Sequence, residues 1–405
     1  MNKNSLNILF LIVFIDMLGF GVIIPFLPYL VGKLGASGLF ATSLLSIYSL
    51  MQFIFSPLLG RLSDKYGRKP ILLFCLSGSA ISYLIYGSAF FITQNSHLIL
   101  WLIFSSRLFA GVMGASIPVA YAYIADKTSS DQRTEAMGKI GAAFGLGFIF
   151  GPAIASFLTP LGPSAPGFCA MLICLVGFSL ALKFLKESKN RHSYQEHPHF
   201  TLENICNILT QKNIGLLILI TLLYGFAFVQ MESIFSLFAA TIYHLKQAQI
   251  GWIFVYLGVL IAISQGALVG KLSLRFGDTN LLLFGALLLV FSFFFISYTK
   301  NVWVMIILMG GVALGAGAIN PTLSAILSHQ TTSDKQGITQ GISQSASSLS
   351  RILGPIIAGI SFDTWSPAAP FFLGTILMLL TTGIIIIFRL CLYPHLKKKS
   401  LVATL

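Results

Sequence analysis

The sequence predicts an all-α membrane protein with twelve transmembrane helices in two pseudo-symmetric six-helix bundles. Three observations carry this. Of 405 residues, 56% are hydrophobic and 9% charged, with a mean hydropathy of +0.87, where a soluble domain carries roughly 25% charged residues. Twelve apolar runs each approach the ~20 residues that a helix needs to cross the hydrocarbon core. The chain also repeats itself.

The runs lie near 8–31, 39–60, 71–92, 98–124, 137–160, 164–185, 214–240, 248–270, 280–298, 301–327, 338–360 and 367–389. Backbone groups in lipid must be paired internally, so each run is expected to be helical. No short alternating strands suggest a β-barrel. The first run is too long for a signal-peptide core and carries Asp16, so it reads as a retained span.

The net charge of +13 does not point to nucleic acid, because of where it sits. Twenty of the 25 Lys and Arg fall at the N-terminus, in alternate loops or in the C-terminal tail. The opposite loops hold only Lys33, Lys246 and Lys300, and Arg107 and Arg351 lie inside spans. This positive-inside pattern puts both termini in the cytoplasm, with the basic excess facing anionic lipid. The tail Lys397, Lys398 and Lys399 reads as a topology anchor. The five cysteines show no CxxC pattern and no disulfide or zinc framework.

The polar segment 186–212 divides the spans six and six. The expected organisation is a first bundle over 1–185, a cytoplasmic linker over 186–212, a second bundle over 213–390 and a cytoplasmic tail over 391–405. The linker holds His192, His197 and His199, with no carboxylate or thiol at metal-ligand spacing. The halves match: GPAIA at 151–155 answers GPIIA at 354–358. The same offset aligns Gly114 with Gly317, Pro118 with Pro321, and Ser130-Asp131 with Ser333-Asp334. The string PLLGRLSDKYGRKP at 57–70 has a worn copy, GKLSLRFGDT, at 270–279. Duplicated six-helix halves are a transporter signature, with the site at mid-membrane.

The first string falls between spans two and three. Gly60 and Gly67 allow tight turns and close approach. Asp64 could cap a helix N-terminus, where the dipole is positive, and Arg68 could pair with Asp126 at the end of span four. Such contacts would latch one of two states. In the copy, Leu274 replaces Asp64 and Asp278 replaces Arg68, so the latch is expected to be asymmetric. A solvated loop that merely sets topology is the competing reading.

GRLSDKYGRKP resembles the loop signature of the major facilitator superfamily, and SRLFAGVMGA at 106–115 its fourth-span pattern. GLGFIFGPAIAS at 145–156 is similar to the fifth-span antiporter pattern, with Gly147, Gly151 and Pro152. Ala155 and Ser156 stand where that pattern usually ends in two glycines. IDMLGFGVIIPFLPYL, ADKTSSDQR and GAAFGLGFIFGPAI look like the twelve-span drug:proton antiporters, especially the tetracycline exporters. The resemblance implies the major facilitator fold, alternating access and a proton gradient as driving force. Exporters of that type tend to carry acids in the third and ninth spans. Here Ser82 stands near the third-span place and the ninth span has no acid, which argues against tetracycline itself.

Four ionisable residues lie well inside spans: Asp16, Arg107, Glu232 and Arg351. Each costs about 2.5–3.5 kcal/mol at a helix centre, so each needs a cavity or a partner. The resemblance places their spans around the central cavity. Asp16, in a helix loosened by Gly19, Gly21, Pro25 and Pro28, is the first candidate proton carrier, and Glu232 the second, or a ligand for a cationic substrate. Arg107 and Arg351 could act on those acids or bind an anionic substrate group. Static acid–base braces are the alternative. Gln52, Gln230, Gln265, Asn320 and Gln344 could hydrogen-bond substrate, and Tyr48 and Tyr256 could wall it; interhelical glue is equally open for each. Gly151-Pro152 and Gly354-Pro355 are expected to bend spans five and eleven at equivalent places and seal one face of the cavity.

The expected activity is export of a small amphipathic molecule or drug in exchange for protons, by a monomer in a bacterial-style inner membrane that needs no cofactor. No Walker loop is present to use ATP, and no nucleophile–base pair suggests an enzyme. The rivals are import or export of a metabolite or siderophore, and a membrane sensor that transports nothing.

Overall fold

The computed structural model describes residues 3–114, 116–127, 143, 145–147, 149–188, 208–331 and 336–392. Residues His192, His197, His199, Ser130, Asp131, Ser333, Asp334 and Lys397–Lys399 lie outside them. No strand occurs among the described residues. Long apolar stretches without water as a competing partner close their own backbone hydrogen bonds, and helix is the result.

Span one is α1 (Lys3–Ile23) and α2 (Leu27–Lys33), joined by a 3-10 turn at Ile24–Phe26. Pro25 lies in that turn and Pro28 just inside α2, so the missing N–H groups fall at the break. Spans two and three are α3 (Gly38–Tyr66) and α4 (Arg68–Ile92). Span four is α5 (Ser96–Met113) followed by α6 (Ser116–Lys127). Span five is α7 (Gly145–Leu161) and span six is α8 (Ala165–Phe184). Span seven is α9 (Lys212–Tyr243). Span eight is α10 (Gln247–Ile263) and α11 (Val269–Phe276), with a π-helical turn at Ser264–Leu268 between them. Spans nine to twelve are α12 (Asp278–Tyr298), α13 (Val302–His329), α14 (Gln336–Thr364) and α15 (Ala369–Ile387).

Among the described residues, ten stretches are long and apolar enough to cross a membrane, with α7 a shorter apolar helix. The 29-residue α14 is not one of the ten. Its first half, GITQGISQSASSLS, is polar. That is tolerable in a membrane only where the helix meets protein or water.

Packing groups the chain into two units: residues 1–196 with 236–258, and residues 197–235 with 259–405. The first therefore takes in residues 236–258, which the sequence division places in 213–390. In the first unit α4 packs on α5 and α8; in the second the equivalent α12 packs on α13 and α15. The halves repeat in backbone detail. Gly67 and Gly277 both have positive φ, +106° and +83°, and both donate their N–H to a serine carbonyl, of Ser63 and Ser273. Asn95 caps α5, accepting from the N–H groups of His97 and Leu98; Asn301 caps α13, accepting from those of Trp303 and Val304. The exposed face of α12 is a shallow apolar groove lined by Phe284, Leu287, Phe291, Phe294 and Phe295, as a surface toward lipid tails requires.

The string 57–70 is not the loop its polarity suggests. Helix α3 runs through Tyr66 and α4 begins at Arg68, so Gly67 alone is non-helical. Gly60 is correspondingly inside α3, with nothing near where a side chain would project. It makes no turn and no close approach, because the helix continues past it.

Candidate functional site

Asp16 sits in α1, 7% exposed. Its carboxylate accepts a short hydrogen bond from the Ser116 hydroxyl at the start of α6. No ion pair joins it to Arg107 among the described residues, so the acid–base brace within the first half does not form here. Three glycines bring α1 against α7 beside this acid. A methyl group on Gly21 would stand 2.6 Å from the Gly147 carbonyl oxygen, and one on Gly151 2.5 Å from the Gly21 carbonyl carbon. A methyl on Gly147 would stand 2.6 Å from Cβ of Met17, the neighbour of Asp16. Small residues let membrane helices approach at this distance. Pro152 is buried one residue on, and its carbonyl accepts from Ser156 at 2.8 Å. Ala155 and Ser156, in place of the glycine pair, are both buried.

Arg107 is fully buried in α5. Its Nε lies 3.3 Å from the Ser106 hydroxyl, and the Ser82 hydroxyl of α4 donates to the Ser106 carbonyl at 2.7 Å. The guanidinium lies over the rings of Tyr83 and Tyr86, 5.4 and 5.9 Å from their centroids. Neither Nη1 nor Nη2 reaches a hydrogen-bond partner among the described residues. The Tyr83 side chain acts on the guanidinium both electrostatically and as a close polar neighbour. Tyr48, from α3, also acts on it electrostatically, and its ring lies tilted 5.1 Å from that of Phe20. Gln52, one turn further along α3, donates to the Gly114 carbonyl at 2.7 Å, tying α3 to the end of α5.

At the α3–α4 junction Arg68 is buried, 4% exposed, and each part of its fork is used. Nη2 pairs with Asp64 at 2.7 Å, Nε with Asp126 at 3.0 Å, and Nη1 donates to the Ser63 hydroxyl at 2.6 Å. Asp126 also accepts from the Ser188 hydroxyl at 3.0 Å. The cation stands at the start of α4, where the helix dipole disfavours it. Glu187 corrects this by accepting from the backbone N–H groups of Arg68 and Lys69 at 2.9 and 3.1 Å. In the second copy Asp278 supplies the negative charge at the helix start itself and accepts from the Ser273 hydroxyl. Sequence reasoning missed Glu187, Ser188, Ser63 and Ser116. Glu187 is the acid that directly follows the end of span six, and that was its signal.

In the second unit, Tyr224 and Asn320 join α9 to α13 by a 3.1 Å hydrogen bond, and Glu232 and Arg351 act electrostatically on Tyr224 and on one another. No direct ion pair links Glu232 to Arg351 among the described residues. Glu232 is half-buried. Arg351 is exposed, as are Gln265, Asn320 and Gln344. Of the two in-span arginines, Arg107 is buried, while Arg351, on the Ser/Gln-rich helix α14, is exposed. Gln230 is buried, and its Oε1 has no partner among the described residues. Gln265 stands in the π turn of span eight, a distortion frequent at functional sites. Gly354 packs toward Val229 of α9, with buried Pro355 next to it. Tyr256 is 38% exposed on α10.

Twelve membrane helices in duplicated halves, with ionisable residues held inside the spans, define a membrane transporter. The chain belongs to the Major Facilitator Superfamily, whose family profile matches residues 9–268 and again 217–403. It is 31% identical over 372 residues to the class B tetracycline resistance protein of Escherichia coli, covering 89% of each chain. It is 34% identical over 362 residues to the class G tetracycline resistance protein of Vibrio anguillarum, covering 87% of this chain and 89% of that one. Among solved structures, the human organic anion transporter MFSD10 superposes with a TM-score of 0.70 at 23% identity, over 95% of this chain and 99% of that one, a likeness of fold.

Proposed function

We propose that the protein exports a small amphipathic molecule from the cytoplasm in exchange for protons, by alternating access, as a monomer in the inner membrane with both termini cytoplasmic. The observation that carries this is the setting of Asp16. A carboxylate buried in lipid-spanning helix is costly unless it changes partner or protonation. Among the described residues this one accepts from a neutral hydroxyl, that of Ser116, beside the glycine contact of α1 with α7. A group so placed takes a proton when the site is dry and releases it when water or a cation arrives. Glu232, half-buried and within the field of Arg351, is the second proton-handling residue. Gln52, Tyr48 and Arg107 in the first unit, and Gln230, Gln265, Asn320, Gln344 and Arg351 in the second, contact substrate. The Asp64–Arg68–Asp126 cluster, with Gly67, and the Gly147, Gly151, Pro152, Gly354 and Pro355 positions act in gating. The names of the resistance relatives support a drug as cargo.

The test is ethidium accumulation in cells that express the protein, with and without a proton uncoupler. Energised cells are expected to hold less dye, and the difference to vanish on uncoupling. More dye in energised cells would reverse the direction. The exposed amides Gln265, Asn320 and Gln344 favour a second reading, carriage of a polar metabolite.

A further inference from the structure

Among the described residues, the guanidinium of Arg107 has no ion-pair partner. An arginine stays protonated even when buried, and a buried cation without a hydrogen-bonded partner is strongly unfavourable. Asp16, the buried acid of the same unit, is occupied by Ser116. Arg68, at the end of the unit, holds the Asp64 and Asp126 carboxylates. Ser106 takes only Nε, and Ser82 is spent on the Ser106 carbonyl. What is left is the end of the fork, Nη1 and Nη2, both buried and both unpartnered among the described residues. Two parallel N–H groups at that end match the two oxygens of a carboxylate. Around them stand the Tyr83 and Tyr86 rings, with Tyr48 and Phe20 beyond.

We infer that Arg107 recognises the carboxylate of an amphipathic aromatic monoanion, and that such anions are a substrate class of this transporter. This rests on the export reading above. The aromatic walls accept the ring of the ligand, the fork accepts its two oxygens, and the positive charge already in place sets the preference for an anion over its neutral analogue. The Ser106 hydroxyl takes Nε, itself braced through the Ser106 carbonyl by Ser82, and Nη1 and Nη2 are left to the ligand.

The test uses the purified full-length protein and two probes of one shape, benzoate and benzamide, read by thermal shift, with chloride as the small-anion control. Benzoate is expected to bind at least about tenfold more tightly than benzamide, since a site built for a charged group rejects the analogue lacking it. Chloride is expected to give no comparable shift. Arg107→Gln is expected to remove the preference for benzoate over benzamide. Equal binding of the two probes by the natural protein, or protection by chloride alone, overturns the inference even if the variant fails to fold. Dye and benzoate exclusion by energised cells is measured in parallel on the natural protein. If exclusion persists while benzoate shows no preference, only the anion assignment falls; if energised cells exclude neither ethidium nor benzoate, the export reading falls.

Discussion

The carboxylate of Glu187 accepts from the backbone N–H groups of Arg68, at 2.9 Å, and Lys69, at 3.1 Å, and so closes the first turn of α4 from the far end of the first bundle. Gly67 is the residue that permits it. Its φ of +106° disfavours any side chain, and a Cβ there would stand 2.5 Å from Glu187 Oε2. Glu187→Ala is expected to destabilise by about 1 kcal/mol, the usual worth of a cap. Gly67→Ala carries both backbone strain and the clash, and is expected to cost about 1–3 kcal/mol. Thermal unfolding of the two single variants and the double variant checks this: the double should cost less than the sum, because removing Glu187 relieves the clash.

Asn95 and Asn301 hold equivalent helix starts with the same pair of side-chain hydrogen bonds, each with one bond of 2.9 Å. Asn95→Ala and Asn301→Ala should each lower stability by about 1 kcal/mol. Unfolding midpoints that differ widely between the two would show that the repeat is one of shape and not of energetics.

Asp16→Asn keeps an oxygen acceptor for Ser116 and removes the exchangeable charge. The variant is expected to fold with a near-natural unfolding midpoint and to lose the uncoupler-sensitive difference in dye accumulation, to the level of cells without the protein. Persistence of that difference would transfer the proton-handling role from Asp16 to another group.

Asp64 pairs with Arg68 at 2.7 Å, one turn away. Asp64→Asn weakens a contact remote from the in-span charges, so turnover should fall several-fold while KM stays within about twofold. Initial-rate transport in proteoliposomes checks the split. A rise in KM at unchanged turnover would place Asp64 in substrate binding instead.

Much of the fold was legible because a bilayer imposes few solutions. Run length marks the spans, and the matching Gly-Pro pairs and Ser-x-x-x-Gly strings mark the repeat. The candidate site was legible only in part. Asp16, Arg107 and Glu232 stood out as charges in apolar runs, since their cost makes them rare. Tyr83 and Tyr86 did not. Their spacing of three residues puts them on one face of α4, but nothing in a single chain says that Arg107 of α5 lies opposite.

The sequence by itself determined the membrane class, the twelve spans, the duplication and the short list of in-span charges, because each follows from local composition and chain order. Only the tertiary structure decided which of those charges meet a partner. It left Arg107 walled by tyrosines, gave Asp16 to Ser116, set Arg351 on an exposed face, and brought Glu187 back across 119 residues to Arg68. Electrostatic and hydrogen-bond energies depend on distances of a few ångströms between helices far apart in the chain, and those distances are set by packing.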